Sequence, residues 1–112
     1  MAQRLAAWVK KNGLDGVDVD YEDMTAMNSD QAEKWLITFQ TELRRQLPSP
    51  YIISHAPVAP WFTSGKNYPS GAYVAVHKAV GDGIDWYNQQ FYNQGHGVYE
   101  DCEVSCVVYG GL

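Results

Sequence analysis

The stretch Leu14-Asp15-Gly16-Val17-Asp18-Val19-Asp20-Tyr21-Glu22-Asp23 decides how this chain is read. Val17, Val19 and Tyr21 alternate with Asp18, Asp20 and Glu22, and a period of two is that of a β-strand. A strand over 14–21 therefore has an apolar back and an acidic front. Solvated strands ordinarily mix such charges with Lys or Thr, so a pure row of acids asks for another explanation. The acids follow D-x-x-D-x-D-x-E from Asp15 to Glu22. With 13 acidic residues among 112, four specified positions match by chance in roughly 2% of such chains. Carboxylates crowded on one face resist ionising together. The last of them, Glu22, is expected to hold a proton near neutral pH and to act as a general acid. Asp20 is placed to share or relay that proton, and Asp18 to do the same for Asp20 from below. The residues alone leave two other uses open: a Ca²⁺ or Mg²⁺ site, or a solvated strand end.

Outward from this strand, helices and strands alternate. Residues 2–12 read as a helix with Leu5, Trp8 and Val9 on one face, stopped by Gly13. Residues 29–47 read as the clearest helix, with Ala32, Trp35, Leu36, Phe39, Leu43 and Leu47 in a stripe. Asn28, Ser29 and Asp30 offer caps at its start, and Pro48 ends it. Residues 51–56 read as a second strand, after which Pro57 and Pro60 force a loop. The composition of 61–71 predicts an exposed loop, in which Trp61 and Phe62 serve either as a stacking platform or as an anchor. Residues 73–80 suit a short helix, with a strand as the alternative. Residues 84–92 suit a third strand, with Trp86, Asn88, Gln90 and Tyr92 on one parity. The order predicts an α/β fold of parallel βαβ units.

Bulk properties narrow the function. The net charge of −5 argues against a nucleic-acid partner, which asks for clustered Lys and Arg. Four Trp, eight Tyr and three Phe suit stacking on sugar faces, and equally suit a core. No apolar run is long enough for a membrane helix, so no membrane partner is expected. The start, Met-Ala-Gln-Arg, lacks the apolar stretch of a signal peptide. Cys102, Cys106 and His96 give three metal donors without a fourth, so no metal site is expected. His55 suits a hydrogen-bonded core histidine.

Residues Asp15 to Glu22, with Gly16 among them, resemble the active-site signature of family 18 glycoside hydrolases, which include the chitinases. Ser54-His55-Ala56-Pro57 resembles the next barrel strand of the fungal and plant-type branch. Gln90-Phe91-Tyr92-Asn93 resembles the strand after that. The resemblance runs from Leu5 to about Asn93. It implies a partial TIM (β/α)8 barrel, about strands four to six with flanking helices. It further implies hydrolysis of β-1,4 bonds in chitin or N-acetylglucosamine oligosaccharides by a retaining, substrate-assisted mechanism. Glu22 would protonate the glycosidic oxygen, Asp20 would orient the substrate's acetamide, and Tyr92 would bond its carbonyl. Asp18 supports Asp20, while Gln90, Asn93 and Ala56 help hold the sugar. Asp15 and Gly16 belong to the motif's frame. The resemblance implies no cofactor, and a secreted location for the longer enzyme. Two alternatives share these residues: a chitin-binding lectin without turnover, and an enzyme acting on the chitobiose core of N-glycans.

A closed barrel of eight strands needs ~250 residues. Three parallel strands leave two bare edges and an open inner face. The chain is therefore expected to be part of a longer enzyme, or to associate with itself to cover those edges.

Overall fold

The computed structural model describes residues 1–63, 67–93 and 95 of the chain. His96, Cys102 and Cys106, considered above as metal donors, lie outside the described residues. The elements run in the order α1 (Ala2–Lys11), β1 (Gly16–Val19), α2 (Met24–Asn28), α3 (Ala32–Gln46), β2 (Ile52–His55), α4 (Ala72–Val80) and β3 (Trp86–Tyr87). A 3-10 turn, Ala59–Phe62, lies between β2 and α4. The strands form one parallel sheet in the order β1-β2-β3. This is the βαβ arrangement expected from the alternation of elements. No helix among the described residues is long and apolar enough to cross a membrane.

Register fixes which side chains share a face. Asp18 pairs with Ser54 and Ser54 with Trp86; Val19 pairs with His55 and His55 with Tyr87. Because successive side chains alternate, Asp18, Ser54 and Trp86 stand on one face, while Val19, His55 and Tyr87 stand on the other. The helices cover the second face. Val19 and Ile53 pack with Ala2, Ala6 and Val9 of α1 and with Phe39 and Leu43 of α3. A second cluster joins Leu36 of α3 to Trp61, Tyr73 and Val76. Burying each Val, Leu, Ile or Phe side chain among these contributes about 1.5–3 kcal/mol.

Several boundaries differ from the sequence reading. In α1 the buried stripe is Ala2, Ala6 and Val9, spaced by four and three residues, and Trp8 lies outside it, 56% exposed. Gly13, at φ +63°, does end this helix: its N–H bonds Lys10 and that of Leu14 bonds Val9, closing a left-handed cap. Two helices lie here: α2 precedes the expected span of 29–47, and α3 fills most of it, starting at Ala32. Asp23 caps the first through a bond from the Ala26 N–H at 2.9 Å. No side chain caps the second, which starts after Gln31. Asp30, expected as a cap, sits at φ 58° and accepts from the Ser70 N–H instead. Trp35 leaves the buried stripe and stacks on Phe39, ring centres 4.9 Å apart. Trp61 is fully buried and stacks on Tyr73 at 5.9 Å, so it anchors its segment rather than offering an exposed platform. Residues 73–80 are helical.

β3 is shorter than expected. Beyond Tyr87 the chain stays alongside β2's extension through bonds from Asn88 N–H to His55 O and from Gln90 N–H to Pro57 O. Pro57 has no N–H to return, which breaks the regular ladder there. Contact resumes at the bridge between Val58 and Gln90. That bridge carries Gln90 to the C-terminal end of the sheet.

Candidate active site

The acid row runs along β1 and past its end. Asp18 lies within the strand, while Asp20 and Glu22 lie in the extended segment before α2, all three exposed on the face the helices leave open. Gly16 starts the strand because nothing larger fits. A Cβ there would stand 1.8 Å from the Ile52 carbonyl oxygen, on the neighbouring strand. Asp15 joins the same ladder through its carbonyl, which accepts the Ile52 N–H at 2.9 Å. The two frame residues of the motif thus set how closely β1 and β2 approach.

Gln90 ties the site together. Its side chain is buried, and its amide donates to Asp20 Oδ1 at 3.0 Å and to the Ala56 carbonyl at 2.8 Å. Glu22 Oε1 lies 3.5 Å from the same nitrogen. The sequence reading gave Gln90 and Ala56 to the substrate. In the fold these two bond each other, and the Gln90 amide group also reaches both carboxyls. The shared Gln90 nitrogen brings the Asp20 and Glu22 carboxyls close to one another. Partial desolvation of the otherwise exposed Asp20 raises its pKa above the usual value, and the neighbouring Glu22 charge raises it further. Asp20 is thus pushed toward protonation.

Asp18 is held from two other segments. Its Oδ1 accepts from Ser54 Oγ at 2.5 Å and from Asn88 Nδ2 at 3.2 Å. Asn88 Oδ1 accepts in turn from the Trp86 indole N–H at 3.2 Å. Neither Ser54 nor Asn88 was assigned a role from sequence. Their parity was visible, but the pairing of Asp18 with Ser54 across strands was not. Tyr92 is 58% exposed beyond the sheet end, and Asn93 is exposed at φ 60°. Among the described residues, no three His, Cys, Asp or Glu side chains converge on a point that could hold a metal ion.

Beneath the site, on the helix face, His55 is fully buried. The Gln40 amide nitrogen donates to the Gly83 carbonyl at 2.6 Å, so Gln40 Oε1 faces His55 Nε2 at 3.0 Å and accepts its proton. His55 Nδ1 is then the acceptor for the Tyr73 hydroxyl at 3.0 Å. Burial pushes the His55 pKa down to about 4. A neutral imidazole so enclosed is a structural brace, as its place in the sequence suggested.

The chain is similar to the solved structure of a GH18 chitinase from Pseudoalteromonas aurantia. The two are 48% identical and superpose with a TM-score of 0.77, over 85% of this chain and 35% of that one. The chain thus spans about a third of the length of that chain. No family model and no curated protein matches it.

Proposed function

We propose that this chain carries the catalytic centre of a family 18 glycoside hydrolase that cleaves β-1,4 bonds in chitin and its oligomers. The observation that carries the reading is the pair of carboxyls, Asp20 and Glu22, brought together on the buried Gln90 amide at the C-terminal end of a parallel sheet. That end is where active sites of α/β barrels gather. The similarity to a GH18 chitinase supports the same reading. The remaining strands of the barrel would come from chain beyond these residues. The fungal and plant-type branch rests on Ser54–Pro57 and Gln90–Asn93 alone. An insoluble extracellular polymer as substrate agrees with a secreted location.

The geometry suggests how the proton is managed. Before substrate binds, one proton sits between Asp20 and Glu22. When the glycosidic oxygen arrives, Glu22 gives the proton to it. The substrate's own acetamide oxygen then attacks the anomeric carbon, and Asp20, now ionised, turns to the acetamide N–H and stabilises the positive charge that forms. Tyr92, exposed at the rim, donates its hydroxyl to the acetamide carbonyl. The glycosidic bond breaks as the acetamide attacks, releasing the protonated leaving sugar. Water, giving a proton to the now ionised Glu22, then attacks the anomeric carbon and restores the acetamide, so two inversions give retention of configuration.

The test is hydrolysis of N-acetylglucosamine oligomers by the full protein that contains these residues, compared with its Glu22→Gln variant. The variant keeps the shape of Glu22 but cannot deliver the same proton, so a loss of about 100-fold or more is expected. Full activity in the variant would remove Glu22 as the acid. Binding heat without any product from the unaltered protein would favour a lectin.

A further inference from the structure

We infer that Asn88 is a positioning residue of this centre: oriented by the Trp86 indole, its side-chain amide fixes Asp18 beneath the Asp20–Glu22 pair. The inference rests on the hydrolytic reading above and adds to it a residue with no assigned role. Asn88 donates to Asp18 Oδ1 at 3.2 Å and accepts from Trp86 Nε1 at 3.2 Å. The second contact decides the first. An indole N–H can only donate, so the amide oxygen must face Trp86 and the amide nitrogen must face Asp18. Ser54 Oγ meets the same Asp18 oxygen at 2.5 Å. Asp18 is therefore gripped at one oxygen by donors from β2 and from the segment after β3. Turning its carboxylate about the side-chain axis breaks both bonds.

This grip reaches the proton-sharing pair. The charge of Asp18 is one of the influences that raise Asp20, alongside burial and Glu22, while the Gln90 bond opposes them. His55 of β2 and Tyr73 of α4 sense the Asp18 charge through the sheet, and Tyr73 senses Asp20 as well. The charge of an Asp18 held at a fixed distance keeps Asp20 biased toward the protonated state. An Asp18 free to swing toward water relaxes that bias. Asn88 would thus act through Asp18 on the proton that Glu22 delivers, without touching the substrate.

The experiment has two arms. In the first, the Trp86 indole and Asn88 amide proton resonances of the chain are followed during an acid titration. The two should move together with one midpoint, Asp18→Asn should abolish the movement, and Asn88→Ala should abolish it at the indole. In the second, the full protein is assayed on chitin oligomers. Asn88→Ala should lower kcat about tenfold with KM changed less than about twofold. Asn88→Asp keeps the shape and the acceptor for Trp86 but sets a second carboxyl against Asp18. Its loss should be larger at neutral pH and should shrink on acidification, when one proton can be shared between the two. A merely structural role would give equal losses at every pH. Trp86→Phe, which removes only the orienting donor, should give a smaller kcat loss and serves if the Asn88 variants fold poorly. Independent titration of the two resonances, or wild-type pH profiles in Asn88→Asp and Trp86→Phe, would overturn the inference. Coupled resonances in a protein that turns over no chitin would instead keep the contact and remove the hydrolytic reading.

Discussion

Replacing His55 by Gln should remove a pH dependence of stability that the buried imidazole imposes. In the fold His55 is neutral, sealed between Gln40 and Tyr73, with its pKa lowered from 6.5 to about 4 by burial. In the unfolded chain it titrates near the ordinary value. Below pH 6.5 the unfolded state therefore takes up a proton that the folded state refuses. The fold keeps its full stability above pH 6.5 and loses it progressively down to about pH 4, below which both states are protonated and the loss levels off. Each pH unit of difference is worth about 1.36 kcal/mol, so the loss across this window is about 3 kcal/mol. Asp20 works in the opposite sense. Its raised pKa means that acidification relieves the folded state first, so its contribution favours the fold as pH falls. Comparing the chain with His55→Gln cancels this shared part. Urea unfolding at half-unit steps from pH 4 to 8 should give a wild-type stability that climbs relative to the variant up to pH 6.5 and then runs parallel. Parallel curves throughout, or an imidazole that titrates near 6.5 by NMR, would refute a buried neutral His55.

Two further substitutions probe the frame. Gly16→Ala brings a methyl group to 1.8 Å from the Ile52 carbonyl oxygen, a backbone atom that cannot yield without opening the β1–β2 pairing. A loss of about 3 kcal/mol is expected, read as a lower urea midpoint, and an unchanged midpoint would show that the strands can part freely. Gln90→Leu keeps the bulk but strips Asp20, Glu22 and the Ala56 carbonyl of their shared donor. Leaving the Ala56 carbonyl unsatisfied should cost about 1–3 kcal/mol, and chitin turnover should fall far more than that stability loss explains. Turnover that holds steady in a folded variant would count against the brace.

What the sequence reveals, and what it hides, follows the range of the interactions. β1 and α3 are legible because each declares itself by its own period, two for the strand and three to four for the helix. α2 is hidden because its five residues are too few for a period, and its start is set by one contact, from Asp23 to the Ala26 N–H. The length of β3 misleads because alternation continues through Gln90 while pairing depends on β2, where Pro57 lacks a donor. Trp61 misleads because the polar composition around it says loop, whereas its fate is decided by Tyr73, twelve residues on, whose ring it meets in parallel. The acid row is legible by spacing alone. Its keepers, Ser54 and Asn88, are not, since only the register across three strands brings them to Asp18. The bias of Asp20 toward protonation also escapes the sequence, because its largest cause is desolvation, which only the fold sets.

Strand β2 shows why fold and chemistry are inseparable here. Ile53 and His55 face the helices, while Ser54 lies on the acid face and the Ala56 carbonyl reaches the Gln90 that braces it. A slip of one residue would exchange these faces, placing a buried imidazole against Asp18 and a serine in the apolar layer. Contacts remote from the acids prevent the slip. Asp85 accepts the Ile53 N–H at 2.7 Å and is itself held by Arg44 at 2.6 Å. The backbone hydrogen bond lowers the Asp85 pKa, and Arg44 adds to the effect. Arg44 also donates to the Gly83 and Tyr51 carbonyls, clamping the start of β2 to the approach to β3. The outer layer, built to bury apolar surface and satisfy backbone groups, thereby fixes β2 against α3 and the approach to β3, while the β1–β2 ladder aligns Ser54 with Asp18. With Asp18 set, Asn88 and Gln90 meet the acid row from the third strand's side, and the Asp20–Glu22 pair is assembled from a motif that alone could only place three carboxyls on one face.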